Sequence, residues 1–184
     1  MSLMSSNLDR FSDWVAMAIS DLKTALLLYK NRVKAATIFH AQQFAEKICK
    51  ALIVFFGMTP QMTHFPSKIL SKIIDERFMD RKIEEEEKEL IDRITSLSST
   101  LEDEKARPRY GVLHADRLIP PDEYYSYLEV QLYVNDAFEI AKGFVKLMRI
   151  KSMSEKLSDL ILELEDLIDE YEHIRAEEKD QAEH

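Results

Sequence analysis

Residues 39–52 read FHAQQFAEKICKAL, an apolar run interrupted by His40, Gln42, Gln43, Glu46, Lys47 and Lys50. At 100° per residue the segment sorts into two faces. Ala41, Phe44, Ala45, Ile48, Cys49, Ala51, Leu52, Phe55 and Phe56 fall within about 160° of arc, a wide core-facing stripe. The polar residues fill most of the rest, yet Phe39, Ile53 and Val54 project among them. A face that mixes charge with three large apolar groups is expected to meet another helix, a second subunit or a wet cleft. The alternative is an ordinary solvated face, since surfaces always carry some apolar residues. The helix should run from about residue 34 to residue 56 and stop at Gly57, with Pro60 just beyond.

The rest of the chain reads as helix too. Phe11, Trp14, Val15, Ala18, Leu22, Ala25 and Leu26 recur at the helical period and predict a first helix from about residue 9 to residue 29. A short third helix should open at Pro66–Ser67 and end near Arg77. A fourth is expected over about 81–105, with EEEE near its start read as a solvated face at the positive end of the dipole. Residues 106–125, ARPRYGVLHADRLIPPDEYY, form the longest irregular connection, and a fifth helix follows over about 122–150. No sustained alternation and no Asn-Gly or Asp-Gly dipeptide signals a strand pair. The expected class is all-α: an up-down helical bundle of four long helices and one short helix, with an extra C-terminal helix.

That last helix differs in kind. Ile150, Met153, Leu157, Leu160, Leu164, Leu167, Tyr171 and Ile174 are spaced 3, 4, 3, 4, 3, 4 and 3, a heptad seam. Residues 151–184 hold 12 acidic and 4 basic residues, so most of the net charge of −9 lies there. The division expected is a bundle over 1–150 and an acidic amphipathic helix over 151–184, docked on its own bundle or on another chain. Removing residues from Ser152 onward should leave the bundle folded. The nearly neutral body retains the ability to present a local basic patch to a phosphate.

One cysteine, Cys49, excludes an internal disulfide and a multi-cysteine zinc site, and its apolar surroundings predict a buried structural thiol. No His-x-x-x-His pair on one helix suggests a metal, and three scattered glycines form no phosphate loop. No cofactor is expected. The N-terminus carries no apolar stretch of signal-peptide length, and ALIVFFGM is too short to span a bilayer. A cytoplasmic protein without membrane contact is expected.

HAQQFAEKICKALIVFFG resembles the signature of the HEPN family (higher eukaryotes and prokaryotes nucleotide-binding domain). The other segments fall in that family's order: AISDLKTALLLY in the first helix, THFPSKIL opening the third, ARPRYG before the last core helix, and YYSYLEVQLYVNDAFEIAKGFVKLM within it. The resemblance spans roughly residues 9–148. Two departures stand out: the family's common Arg-Tyr-Pro reads Arg109-Tyr110-Gly111, and the fourth helix is longer and more charged.

The resemblance implies a homodimer and a nucleotide or RNA ligand. Members that cleave RNA carry an Arg followed four to six residues later by a His. Here His114 follows Arg109 after four intervening residues and Arg107 after six. A metal-independent endoribonuclease of toxin type would use His114 for proton transfer and Arg109 as a forked phosphate ligand. Glu46 would orient Arg109, with Arg107, Tyr110, Lys47 and Lys50 contacting nucleotide or phosphate. His64 is expected to cap or pack at the start of the third helix. The alternatives are a loop that only clasps the bundle, a non-catalytic interaction module, or an accessory subunit of a separately encoded nucleotidyltransferase.

Overall fold

The computed structural model describes residues 3–151 and 155–182. Four long helices, α1 (Leu3–Lys30), α2 (Lys34–Phe55), α4 (Glu85–Glu102) and α7 (Tyr127–Ile150), pack with the shorter α3 (Pro66–Met79). Two single-turn helices, α5 (Arg107–Tyr110) and α6 (Pro121–Tyr124), flank a hairpin of β1 (Val112–His114) and β2 (Arg117–Ile119), and α8 (Glu155–Ala182) ends the chain. The fold is an all-α helical bundle with this one small hairpin.

The α2 helix is the axle, packed against α1, α3, α4 and α7. Ile38, Ala41, Phe44, Ala45, Ile48, Cys49 and Leu52 are fully buried, and so are Ile53 and Val54 from its other face. Burial also takes Gln42, Glu46 and Lys50. The mixed face is therefore neither a solvated surface nor left open: other parts of the same chain cover it. Its N-terminus has no side-chain cap of its own. Asp122 in α6 supplies one from a distance, accepting the Ala35 amide at 3.0 Å.

Three sequence expectations change. Residues 106–125 are not irregular throughout, because the hairpin pairs Leu113 with Leu118 and His114 with Arg117. Its turn residues, Ala115 and Asp116, have φ of 45° and 64°. Positive φ at both positions is what a two-residue type I′ turn demands, and Asn-Gly is only its commonest solution. Gly111 opens the strand at φ 74°, where a Cβ would lie 2.1 Å from the Ile119 carbonyl oxygen, so no other residue fits. The fifth helix breaks before Ser126, whose hydroxyl accepts the Glu129 amide while Glu129 accepts the Ser126 amide at 2.7 Å. Lastly, the EEEE run is not wholly solvated. Glu87 is buried, completes a capping box with Glu84, and pairs with Lys151 at 2.5 Å.

The α8 helix docks on α1 and α7 of its own chain. Leu157, Leu164, Leu167 and Tyr171 join the main core, with Leu160 and Ile174 half-buried beside them. Met153 lies outside the described residues, and Ile150 is exposed at the end of α7. Charge follows the same logic: α8 carboxylates Glu163 and Glu170 meet Lys23 and Lys30 of α1, and Glu172 and Glu165 meet Lys142 and Arg149 of α7. Exposed pairs of this kind are worth little individually. The buried leucines and Tyr171 carry the docking.

Candidate functional site

The end of α4 builds the floor of the site. Glu104 is buried and accepts hydrogen bonds from the hydroxyls of Tyr125 (2.6 Å) and Tyr133. Burial, and then the bond to Glu104, pushes both phenols above their ordinary range. Arg107 lies 3.7 Å from Glu104 and donates to the Asp103 carbonyl (2.7 Å) and to Tyr124 (3.4 Å). Arg107 is thus committed to a clasp that ties α5 to α6 and to the segment just after α4.

Arg109, two residues on, is exposed. Its guanidinium sits 5.5 Å from the Phe39 ring of α2 and 5.3 Å from the Tyr110 ring, and no carboxylate pairs with it among the described residues. Tyr110 is 66% exposed. The hairpin carries His114 to its tip, exposed and opposite Arg117. His114 and Arg117 share one face of the hairpin, while exposed Leu113 and Leu118 share the other. Arg109, Tyr110 and His114 are therefore all exposed, but Arg109 and His114 lie on different elements with no hydrogen bond or ion pair between them among the described residues.

The remaining predicted site residues belong to α2 and lie elsewhere. Glu46 does not orient Arg109: its carboxylate takes the Lys50 ammonium at 2.6 Å and His64 Nδ1 at 3.1 Å. It is less exposed than Lys47, as a buried acceptor should be. Lys47 pairs with Asp21 of α1, which also meets His40 at 2.9 Å. Lys50 lies over the Trp14 ring at 5.3 Å. Both lysines therefore have carboxylate partners and are not free phosphate ligands. Helical geometry explains the misassignment: Phe39, not Glu46, is the α2 residue level with Arg109, and Glu46 is about two turns further along.

His64 does not cap α3, whose N-cap is Phe65. Buried Glu102 does that work from α4, accepting the Ser67 amide at 3.0 Å and the Ser67 hydroxyl. Burial pushes Glu102 above the usual carboxylate range, the Ser67 bonds oppose this, and the nearby charge of Glu46 adds to it. Cys49 is buried and burial pushes its thiol up to about 12, as an unreactive structural cysteine requires. Sequence reasoning missed Glu102 and Glu104, because in TLEDEKARP they look like any charged helix end.

An all-α bundle with a buried Ala- and Lys-bearing central helix, and an Arg-Tyr turn before its last core helix, is of the HEPN class. The HEPN domain pattern matches residues 11–151 of the sequence. The chain belongs to the HEPN domain family. Among curated proteins it is similar to "Putative toxin MJ1304" of Methanocaldococcus jannaschii, at 26% identity over 136 residues, covering 72% of this chain and 86% of that one. No solved structure matches the chain. Among the described residues, no helix is long and apolar enough to cross a membrane, and no group of three His, Cys, Asp or Glu residues is placed to hold a metal ion.

Proposed function

We propose that the chain is an RNA-binding HEPN domain of toxin type, with its site on the strip from Lys105 to Arg117. One observation carries this reading: Arg109 presents an exposed guanidinium, flanked by two aromatic rings and unmatched by any carboxylate among the described residues. In a chain of net charge −9, such a group serves an anion better than it serves the fold. Its planar fork suits a phosphodiester, and the Tyr110 ring offers a surface on which an unpaired base can stack.

His114 is the proton carrier in this reading, giving a proton to the leaving oxygen without a metal. A homodimer would cover Leu113 and Leu118 and bring two strips toward one cleft. Light scattering should then give twice the chain mass, and a stable monomer at micromolar concentration removes the shared cleft. The functional test is incubation with mixed single-stranded RNA in EDTA. Wild type and His114→Ala should bind alike, and any cleavage should fall about 100-fold in the variant. Equal cleavage by both proteins would take His114 out of the chemistry.

A further inference from the structure

We infer that the cleft between α3 and α4 binds a small uncharged polyhydroxylated ligand, a sugar or polyol. The residues involved lie outside the Arg109 strip, and the inference does not depend on the reading of that strip.

On their inner faces the two helices are closed. Leu70, Ile73 and Ile74 of α3 and Ile91, Ile94 and Leu101 of α4 are buried in the core. The outer half of the seam stays open because its side chains are short. Ser67 and Ser71 of α3 and Thr95, Ser96 and Ser99 of α4 line a cleft of about 530 Å³. Small-molecule sites have volumes of roughly 300–1,000 Å³. Elsewhere long side chains bridge the outer seams: Lys30 reaches Glu170 between α1 and α8, and Arg149 reaches Glu165 between α7 and α8. Between α3 and α4 such a crossing stands at one end, where Lys88 meets Asp75 at 3.3 Å.

The lining offers unused donors and unused acceptors together. The Ser71, Ser96 and Ser99 hydroxyls have no hydrogen-bond partner among the described residues, and a hydroxyl both donates and accepts. Ser67 and Thr95 donate within the fold, to Glu102 and to the Asp92 carbonyl, and keep acceptor capacity only. Lys88 takes Asp75 Oδ1 and Asp92 Oδ2, which leaves the second oxygen of each carboxylate open. At the other end the Lys68 ammonium makes no ion pair among the described residues and lies 5.9 Å from the Phe65 ring. Lys68 and Asp75 are seven residues apart on α3, nearly two turns or roughly 10 Å along the helix. That distance sets the length of a ligand that touches both ends.

The charges disfavour an ion. Two lysines and two aspartates in the lining sum to zero. Buried Glu102 accepts the Ser67 amide at 3.0 Å, so a phosphate drawn to Lys68 would meet a carboxylate behind it. A polyamine drawn to the aspartates would meet Lys88 and Lys68 in turn. Among the described residues no aromatic or large aliphatic side chain lines the cleft, so neither a nucleobase nor an acyl chain finds a face. Sugar hydroxyls match the serines, the aspartates and the lysine without bringing a charge.

The test is saturation-transfer NMR on wild type, Ser71→Leu and Asp75→Asn, with ribose, sorbitol, glucose and maltose as probes. At least one of these should give a saturable signal with wild type at millimolar concentration. Ser71→Leu fills the cleft from a half-buried position and should weaken that binding at least about tenfold, with the melting temperature unchanged or raised. Asp75 is exposed, so Asp75→Asn leaves folding intact and should weaken binding severalfold by removing a charged acceptor. Ribose 5-phosphate and spermidine should not compete better than the uncharged probe. Absence of a saturable signal from all four probes overturns the inference. So do equal affinities in wild type and both variants, or displacement by ribose 5-phosphate or spermidine at lower concentration.

Discussion

Tyr171→Ala is expected to remove about 3–5 kcal/mol of stability, the range for truncating a buried aromatic. Its ring is 2% exposed, stacks on Phe138 at 4.0 Å and meets the edge of Tyr29 at 6.2 Å. The three residues come from α8, α7 and α1, so the cavity would open where three helices converge. Collapse cannot close it, because α8 is also fixed by Leu164 and Leu167. Urea denaturation should show one cooperative transition at a lower midpoint with little change in slope. A loss below about 1 kcal/mol, or separate melting of α8, would show that the last helix is an appendage.

Glu104→Ala should cost about 3 kcal/mol, for a different reason. Two tyrosine hydroxyls donate to that carboxylate, and hydrogen bonds to charged groups are among the stronger ones. Tyr125 is buried and has no route to water, so its hydroxyl would be stranded. Arg107 would lose its nearby counter-charge at the same time. The damage should centre on α5, α6 and the hairpin. Hydrogen exchange should accelerate there before it does in α2, and RNA affinity should fall along with the melting temperature. Uniform destabilisation with intact RNA binding would separate the clasp from the site.

The physical reason for what could be read in advance lies in which residues carry periodic information. Apolar spacing in α1, α2, α4 and α7 had to match the core, so helix positions and the class followed from it. The heptad residues of α8 likewise marked a buried seam, but spacing alone could not say which surface would bury them. The hairpin was hidden because its turn uses Ala115 and Asp116 in left-handed backbone, a solution that composition does not advertise. The polar residues of α2 could be found but not paired. Side chains on one face see whatever the tertiary fold brings, and here it brought Asp21, His64 and the Lys105 carbonyl. Arg107 and Arg109 look equivalent in ARPRYG, and only the position of Glu104 makes one a clasp and leaves the other in solvent.

That difference between two arginines is the centre of the account, and Arg109→Lys tests it most directly. The measurement is affinity for a single-stranded oligoribonucleotide in EDTA at fixed salt, read beside the melting temperature. The substitution keeps the charge but removes the planar fork and its stacking on Phe39 and Tyr110. Binding should weaken about tenfold, equivalent to about 1.4 kcal/mol, with the melting temperature unchanged. Unaltered RNA affinity together with a lower melting temperature would mean that Arg109, like Arg107, only holds the bundle together.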